Sequence, residues 1–164
     1  MIYETVAAVD LGSNSFRLQV GRVVDNQIYT LDSMKEPVRL ASGLTADKRL
    51  DIPAQARALD ALRRFGERLG GLDSGAVRVV ATNTLRVAKN AAEFLPQAEQ
   101  ALGFPIEIIA GREEARLIYI GASHSLPTVA HKRLVVDIGG GSTEFIIGKR
   151  HDPQLMESLY MGCV

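Results

Sequence analysis

From Thr5 to Leu11 the chain is a nearly continuous run of small apolar residues, the pattern of a strand buried on both faces. A turn follows at Gly12-Ser13-Asn14. Phe16, Leu18 and Val20 then alternate with Arg17, Gln19 and Gly21, and beyond a turn at Asp25-Asn26 a short strand runs from Ile28 to Leu31. The opening is a three-stranded meander. Asp51 and Pro53 start a helix in which Leu59, Leu62, Phe65 and Leu69 recur at helical spacing until Gly70-Gly71 stops it. Val77 to Ala81 is the next strand. Ala91 to Leu102 reads as a helix closed by Gly103 and Pro105, Ile106 to Ile109 as a strand, and Arg112 to Ser125 as a third helix. The order is βββαβαβα.

After Pro127 the pattern restarts, with a strand at Leu134 to Ile138, a turn at Gly139-Gly140-Gly141, a strand at Phe145 to Ile147 and a third at Leu155 to Tyr160. Val9-Asp10-Leu11-Gly12 matches Val136-Asp137-Ile138-Gly139, and each copy continues through a serine to Phe16 or Phe145 on the exit strand. Two related lobes are expected, the first over residues 1–126 and the second opening at 127–164.

The repeated turn carries a chemical meaning. A buried strand ending in Asp sets a carboxylate at the rim of a sheet, where Asp10 and Asp137 can hold Mg²⁺ directly or through water. Small residues beyond it let backbone approach an anion, so the N–H groups of Ser13 and Asn14, and of Gly140, Gly141 and Ser142, can form a nest for phosphoryl oxygens. Each turn taken singly is equally an ordinary hairpin connection, since Asn and Gly suit turns for backbone reasons. The duplication is what points to phosphate.

Glu114 falls on a helical wheel among Leu117, Ile118 and Gly121, opposite Arg112, Arg116 and Tyr119, which turns a carboxylate toward the interior, where it pairs with a buried partner, faces a polar cleft or has a raised pKa suited to general-base work. Glu113 is accounted for by the helix dipole alone. Arg86 follows Thr82-Asn83-Thr84 at the carboxyl end of the fourth strand, where it is either a bidentate phosphate clamp or a surface residue at a helix start. His124 and His131 lack metal-like spacing and read as loop residues.

Composition narrows the picture. A chain of 164 residues with 46% hydrophobic and 23% charged positions buries one good core and begins a second. Its 19 basic and 19 acidic side chains cancel, so no broad cationic field gathers nucleic acid, and anion binding must be focal. Cys163 is the single cysteine, which excludes an intramolecular disulfide and favours the cytoplasm. No leader-like segment opens the chain at Met-Ile-Tyr-Glu-Thr, and no apolar run is long enough for a membrane span.

Three segments in order, Ala7 to Phe16 (AAVDLGSNSF), Gly111 to Tyr119 (GREEARLIY) and Val136 to Glu144 (VDIGGGSTE), together with Thr84-Leu85-Arg86 and the closing Met161-Gly162-Cys163-Val164, resemble the Ppx/GppA family of exopolyphosphatases and guanosine pentaphosphate phosphohydrolases. The resemblance covers the whole chain. It implies an α/β fold of the actin-like ATPase domain (ribonuclease H-like) type, with two lobes around a cleft; a cytoplasmic homodimer is also expected. By position it makes Glu114 the catalytic base, Asp137 and Glu144 the acidic pair around Mg²⁺ or Mn²⁺ and the attacking water, and Asp10 the first-lobe metal carboxylate. Gly12, Ser13, Asn14 and Ser15, and Gly139, Gly140, Gly141, Ser142 and Thr143, become phosphate loops, with Arg86 beside them. The implied reaction is release of orthophosphate from polyphosphate, with guanosine pentaphosphate as the alternative substrate.

Family members run well past residue 164, so the chain resembles a fragment. Leu134, Val136, Phe145 and Ile147 are then expected to pack on a second copy or to be poorly ordered. Two other readings share the duplicated loops: the ATP-binding lobe of a sugar kinase or chaperone-type ATPase, and a nucleotide sensor that binds without turnover.

Overall fold

The computed structural model describes residues 3–25 and 27–163, so Asn26 of the expected turn, Met1, Ile2 and Val164 lie outside the described residues. Its elements are β1 (Thr5–Leu11), β2 (Phe16–Val24), β3 (Gln27–Glu36), α1 (Ile52–Leu69), β4 (Val77–Ala81), α2 (Asn83–Val87), α3 (Ala91–Leu102), β5 (Glu107–Ile108), α4 (Gly111–Ser125), β6 (Lys132–Ile138), β7 (Thr143–Lys149) and β8 (Asp152–Leu159). The expected βββαβαβα order holds, with a short extra helix after β4. Contacts group the chain into two units, residues 1–108 and 109–164.

The first unit is a five-stranded mixed sheet in the order β3-β2-β1-β4-β5. β1 lies at its centre, antiparallel to β2 and parallel to β4. Contrary to the continuous apolar run, β1 buries one face only: Ala7, Val9 and Leu11 are inside while Ala8 and Asp10 are exposed. Small residues had masked the alternation. α1 and α3 pack over the buried face, where Ala54, Ala58, Leu62 and Phe65 meet Val9, Leu11 and Leu18 in one core. Removing a fully buried aromatic from such a core costs about 3–5 kcal/mol, so α1 fixes the sheet chiefly through Phe65.

Local chemistry sets the helix ends. Asp51 caps α1 by accepting from the Ala54 N–H at 2.7 Å, with Pro53 in the first turn, as the sequence predicts. Arg64 reaches Glu36 and Arg68 reaches Asp32, tying the outer side of α1 to the edge strand β3. That contact explains why β3 runs to Glu36 rather than stopping at Leu31: its second half pairs residue by residue with β2, past a register shift at Val20/Gly21.

Asn90 holds a loop to this core in the way a strand would. Its Oδ1 accepts from the Leu50 N–H at 2.8 Å and its Nδ2 donates to the Leu50 carbonyl at 3.0 Å, all of it buried. Asn90→Ala leaves the Leu50 N–H unpaired, while the Leu50 carbonyl keeps the Gln55 side-chain amide at 2.9 Å, and is expected to cost about 1–3 kcal/mol. Urea unfolding should show the midpoint falling at unchanged slope, with Asn90→Asp, which keeps the acceptor, losing less.

The second unit is the antiparallel sheet β6-β7-β8 with α4 on it. α4 packs on this sheet, so contacts group it with the strands that follow it. Ala115, Tyr119 and Ile146 form a small core flanked by Ile118, Val135 and Met156, and the Tyr119 hydroxyl donates to the Arg150 carbonyl at 3.2 Å. α4 thus covers one face of the meander. Its opposite face is open, with Leu134 60% and Val136 44% exposed.

Candidate functional site

The two glycine turns are built alike. β1 ends at Leu11 and β6 at Ile138, and at the next residue, Gly12 or Gly139, a Cβ atom would lie 2.9 Å from the Ser15 carbonyl oxygen or 3.0 Å from that of Ser142. Glycine stands at both positions because the turn folds back too tightly for a side chain. In the second turn the Gly139 N–H donates to the Ser142 carbonyl at 2.9 Å, closing a four-residue loop around Gly140 and Gly141.

In the first unit Asp10 is exposed near the carboxyl end of β1, Ser13 is buried, Asn14 exposed and Gly12 and Ser15 half-buried. β4 runs parallel to β1, so its carboxyl end, followed by Thr82 and α2, lies on the same rim. The Thr84 hydroxyl donates to Ser13 Oγ at 2.7 Å, joining the two connections in a buried bond. Arg86, half-buried, is carried by the same short helix. The backbone behind the loop is also held, by Arg39 N–H to Asn14 O at 2.7 Å and Ala41 N–H to Ser13 O at 2.9 Å.

In the second unit Asp137 and Glu144 face each other across β6 and β7. Asp137 is exposed, whereas Glu144 is 1% exposed and accepts the Ser158 hydroxyl at 2.8 Å. Ser142 and Thr143 are buried and Gly139, Gly140 and Gly141 half-buried. Thr143 Oγ1 donates its single proton to the Met161 carbonyl, so this hydroxyl anchors the loop from behind. Ser158 is a part that sequence reasoning missed, and the segment 161–163, which enters there only through the resemblance, had no role assigned to it. The signal for Ser158 lay in the register of β7 and β8, which sets it opposite Glu144.

Glu114 sits in the first turn of α4. The wheel reading that turned it inward with Leu117 is corrected: the buried stripe is Ala115, Tyr119 and Ser123, Leu117 is 39% exposed and Glu114 half-buried. Counting hydrophobic side chains favoured Leu and Ile, but the sheet is approached closely by Ala and Ser, with Tyr119 filling the gap. Glu113 is engaged by Arg116 through two hydrogen bonds of 2.7 and 2.8 Å, which hold its carboxyl below the ordinary Glu range. Its role is that of a helix-surface ion pair.

The stacked rings of His124 and His151, 4.2 Å apart, lie at the far end of this unit beside the β7–β8 turn. Among the described residues no three His, Cys, Asp or Glu side chains cluster to hold a metal, and no helix is long and apolar enough to cross a membrane. A pair of opposed carboxylates still suits Mg²⁺, which commonly takes one or two protein carboxylates and completes its shell with water and substrate phosphate.

The model of the Ppx/GppA phosphatase family matches residues 19–164. A guanosine-5'-triphosphate,3'-diphosphate pyrophosphatase of Vibrio cholerae is 48% identical over 158 residues, which is 96% of this chain and 32% of that protein. Among solved structures, an exopolyphosphatase from Cytophaga hutchinsonii superposes with a TM-score of 0.90 at 30% identity, over 96% of this chain and 51% of that one. The Aquifex aeolicus PPX-GPPA enzyme gives 0.84 at 31%, over 98% and 53%. The chain thus spans about a third of the curated relative and about half of the solved ones.

Proposed function

Because the chain belongs to the Ppx/GppA phosphatase family, with the actin-like α/β fold that goes with it, we propose that the protein carrying it removes the 5'-terminal phosphate of guanosine pentaphosphate by attack of water, in the cytoplasm. The observation that carries the choice of substrate is the 48% identity to the Vibrio cholerae pyrophosphatase, against 30% to the exopolyphosphatase of Cytophaga hutchinsonii. This reverses the order expected from the motifs, which put polyphosphate first. Polyphosphate remains the second reading, since both substrates end in the same phosphoanhydride and solved relatives carry that activity in their names.

Within this reading Glu114 takes a proton from the attacking water, and the N–H groups of Ser13, Asn14, Gly140 and Gly141 receive the charge that gathers on the phosphoryl oxygens. Arg86 offers a bidentate donor pair to a phosphate. Asp10, Asp137 and Glu144 would hold Mg²⁺, Glu144 being steadied by the Ser158 hydroxyl. Bound there, the cation neutralises phosphate charge and lowers the cost of electron build-up on the leaving oxygen.

The deciding assay is orthophosphate release by the intact protein from guanosine pentaphosphate, long-chain polyphosphate and ATP. The expected result is the highest kcat/KM for the pentaphosphate. A higher value for polyphosphate would establish the second reading. Phosphate transfer from ATP to a sugar, or tight binding of all three with no release, would replace both by the kinase or sensor alternatives.

A further inference from the structure

The segment after β8 bears directly on the second glycine loop. Having left the sheet at Leu159, the chain returns across Gly139–Ser142, where the Cys163 N–H donates to the Gly139 carbonyl at 3.0 Å and the Met161 carbonyl takes the Thr143 hydroxyl. Between these two bonds lies Gly162. A Cβ there would stand 2.2 Å from Gly140 O, 2.4 Å from Gly140 C and 2.5 Å from Gly141 N, directly on the face of the Gly140–Gly141 peptide. All three atoms belong to the backbone of a closed turn, so no rotamer change relieves the clash. The requirement for glycine is one of space.

The geometry fixes where the loop amides point. In a trans peptide the C=O and N–H are antiparallel, so a Gly139 carbonyl aimed at Cys163 turns the Gly140 N–H away from the returning segment. The next peptide, bearing the Gly141 N–H, has its tilt limited by the Cα of Gly162 packed against it. We infer that residues 161–163 form a strap that aims the Gly140 and Gly141 amides at the phosphate, with Gly162 as a positioning residue that touches no substrate itself. The first unit has an analogous brace, the Arg39 and Ala41 amides bonded to the Asn14 and Ser13 carbonyls, so both loops are aligned from behind by the chain that follows their meander.

The inference rests on reading the loop as a phosphate cradle, and its test separates the two. In the intact protein Gly162→Ala should fold with a lowered melting temperature, because the loop backbone must shift to admit the Cβ, and should move the ¹H–¹⁵N resonances of Gly140 and Gly141 and lower kcat on guanosine pentaphosphate by about 10²-fold, the order seen when one donor to a developing oxyanion is lost. KM should move far less, and the Mg²⁺ titration midpoint should stay, because the strap leaves the Asp137 carboxylate alone. Should Gly162→Ala fail to fold, Thr143→Val, which unties the strap at Met161, should reproduce the fall in kcat and Thr143→Ser should restore it. Unmoved Gly140 and Gly141 resonances or a normal kcat in folded Gly162→Ala overturn the strap, as does an unaffected Thr143→Val. A wild-type protein inactive on every phosphoanhydride instead removes the proposed function, while the amide resonances still decide the strap.

Discussion

Glu114→Gln is expected to lower turnover by roughly two to four orders of magnitude while leaving substrate affinity within a few-fold of wild type. The amide keeps the size and hydrogen-bonding reach of the carboxylate but cannot accept a proton from water. On the proposed reading phosphate is gripped chiefly by backbone N–H groups of the two glycine loops, which a side-chain substitution on α4 leaves in place, so binding survives the loss of the base. Neighbouring Glu113 offers no substitute, since its carboxylate is committed to Arg116 and held in the ionised form. Glu113→Gln should accordingly leave turnover close to normal. The measurement is single-turnover phosphate release together with equilibrium binding of the pentaphosphate. A Glu114→Gln enzyme with near-normal turnover ends the assignment.

Asp137→Ala should reduce activity and Mg²⁺ affinity together, by at least about tenfold in the Mg²⁺ midpoint if a direct carboxylate ligand, worth more than 1.4 kcal/mol, is removed. Asp137 is the exposed member of the pair it makes with Glu144, and hence the one open to a hydrated cation. Saturating Mg²⁺ should recover part of the activity, which no defect in folding would allow. Metal titrations that overlay for the variant and wild type would remove Asp137 from the cation's shell. Asp10→Ala should behave in the same direction with a smaller shift, as expected for a ligand acting through water.

Much of this was legible in the chain before any coordinates. The cap at Asp51, the stop at Leu69, the strand Val77–Ala81 and both glycine turns lie where local chemistry puts them, since caps, proline and glycine act over a few residues. The failures have a common cause, which is dependence on distant partners. β3 extends to Glu36 because β2 and α1 hold it there, and neither is visible in the run Asp32 to Glu36. α4 looked like the last element of the first lobe because it follows β5, but its stripe of Ala115, Tyr119 and Ser123 matches Ile146 on a later strand. Ser158 acquires meaning only once β8 is laid beside β7. The carboxylates and loops of the site were legible as a repeated string, whereas the contacts that orient them were not.

The two braced loops also differ in how much chain must be in place before each can form. The Thr143 to Met161 bond closes over 18 residues through one hairpin, and the strap is complete as soon as β8 has paired with β7. The Thr84 to Ser13 bond closes over 71 residues and waits on β4 docking beside β1. Closing the longer loop carries the larger entropic cost and the slower search. The second cradle should therefore assemble ahead of the first during refolding, with the Cys163 amide, bonded to Gly139, protected from pulse-labelled hydrogen exchange before that of Thr82, bonded to Leu11.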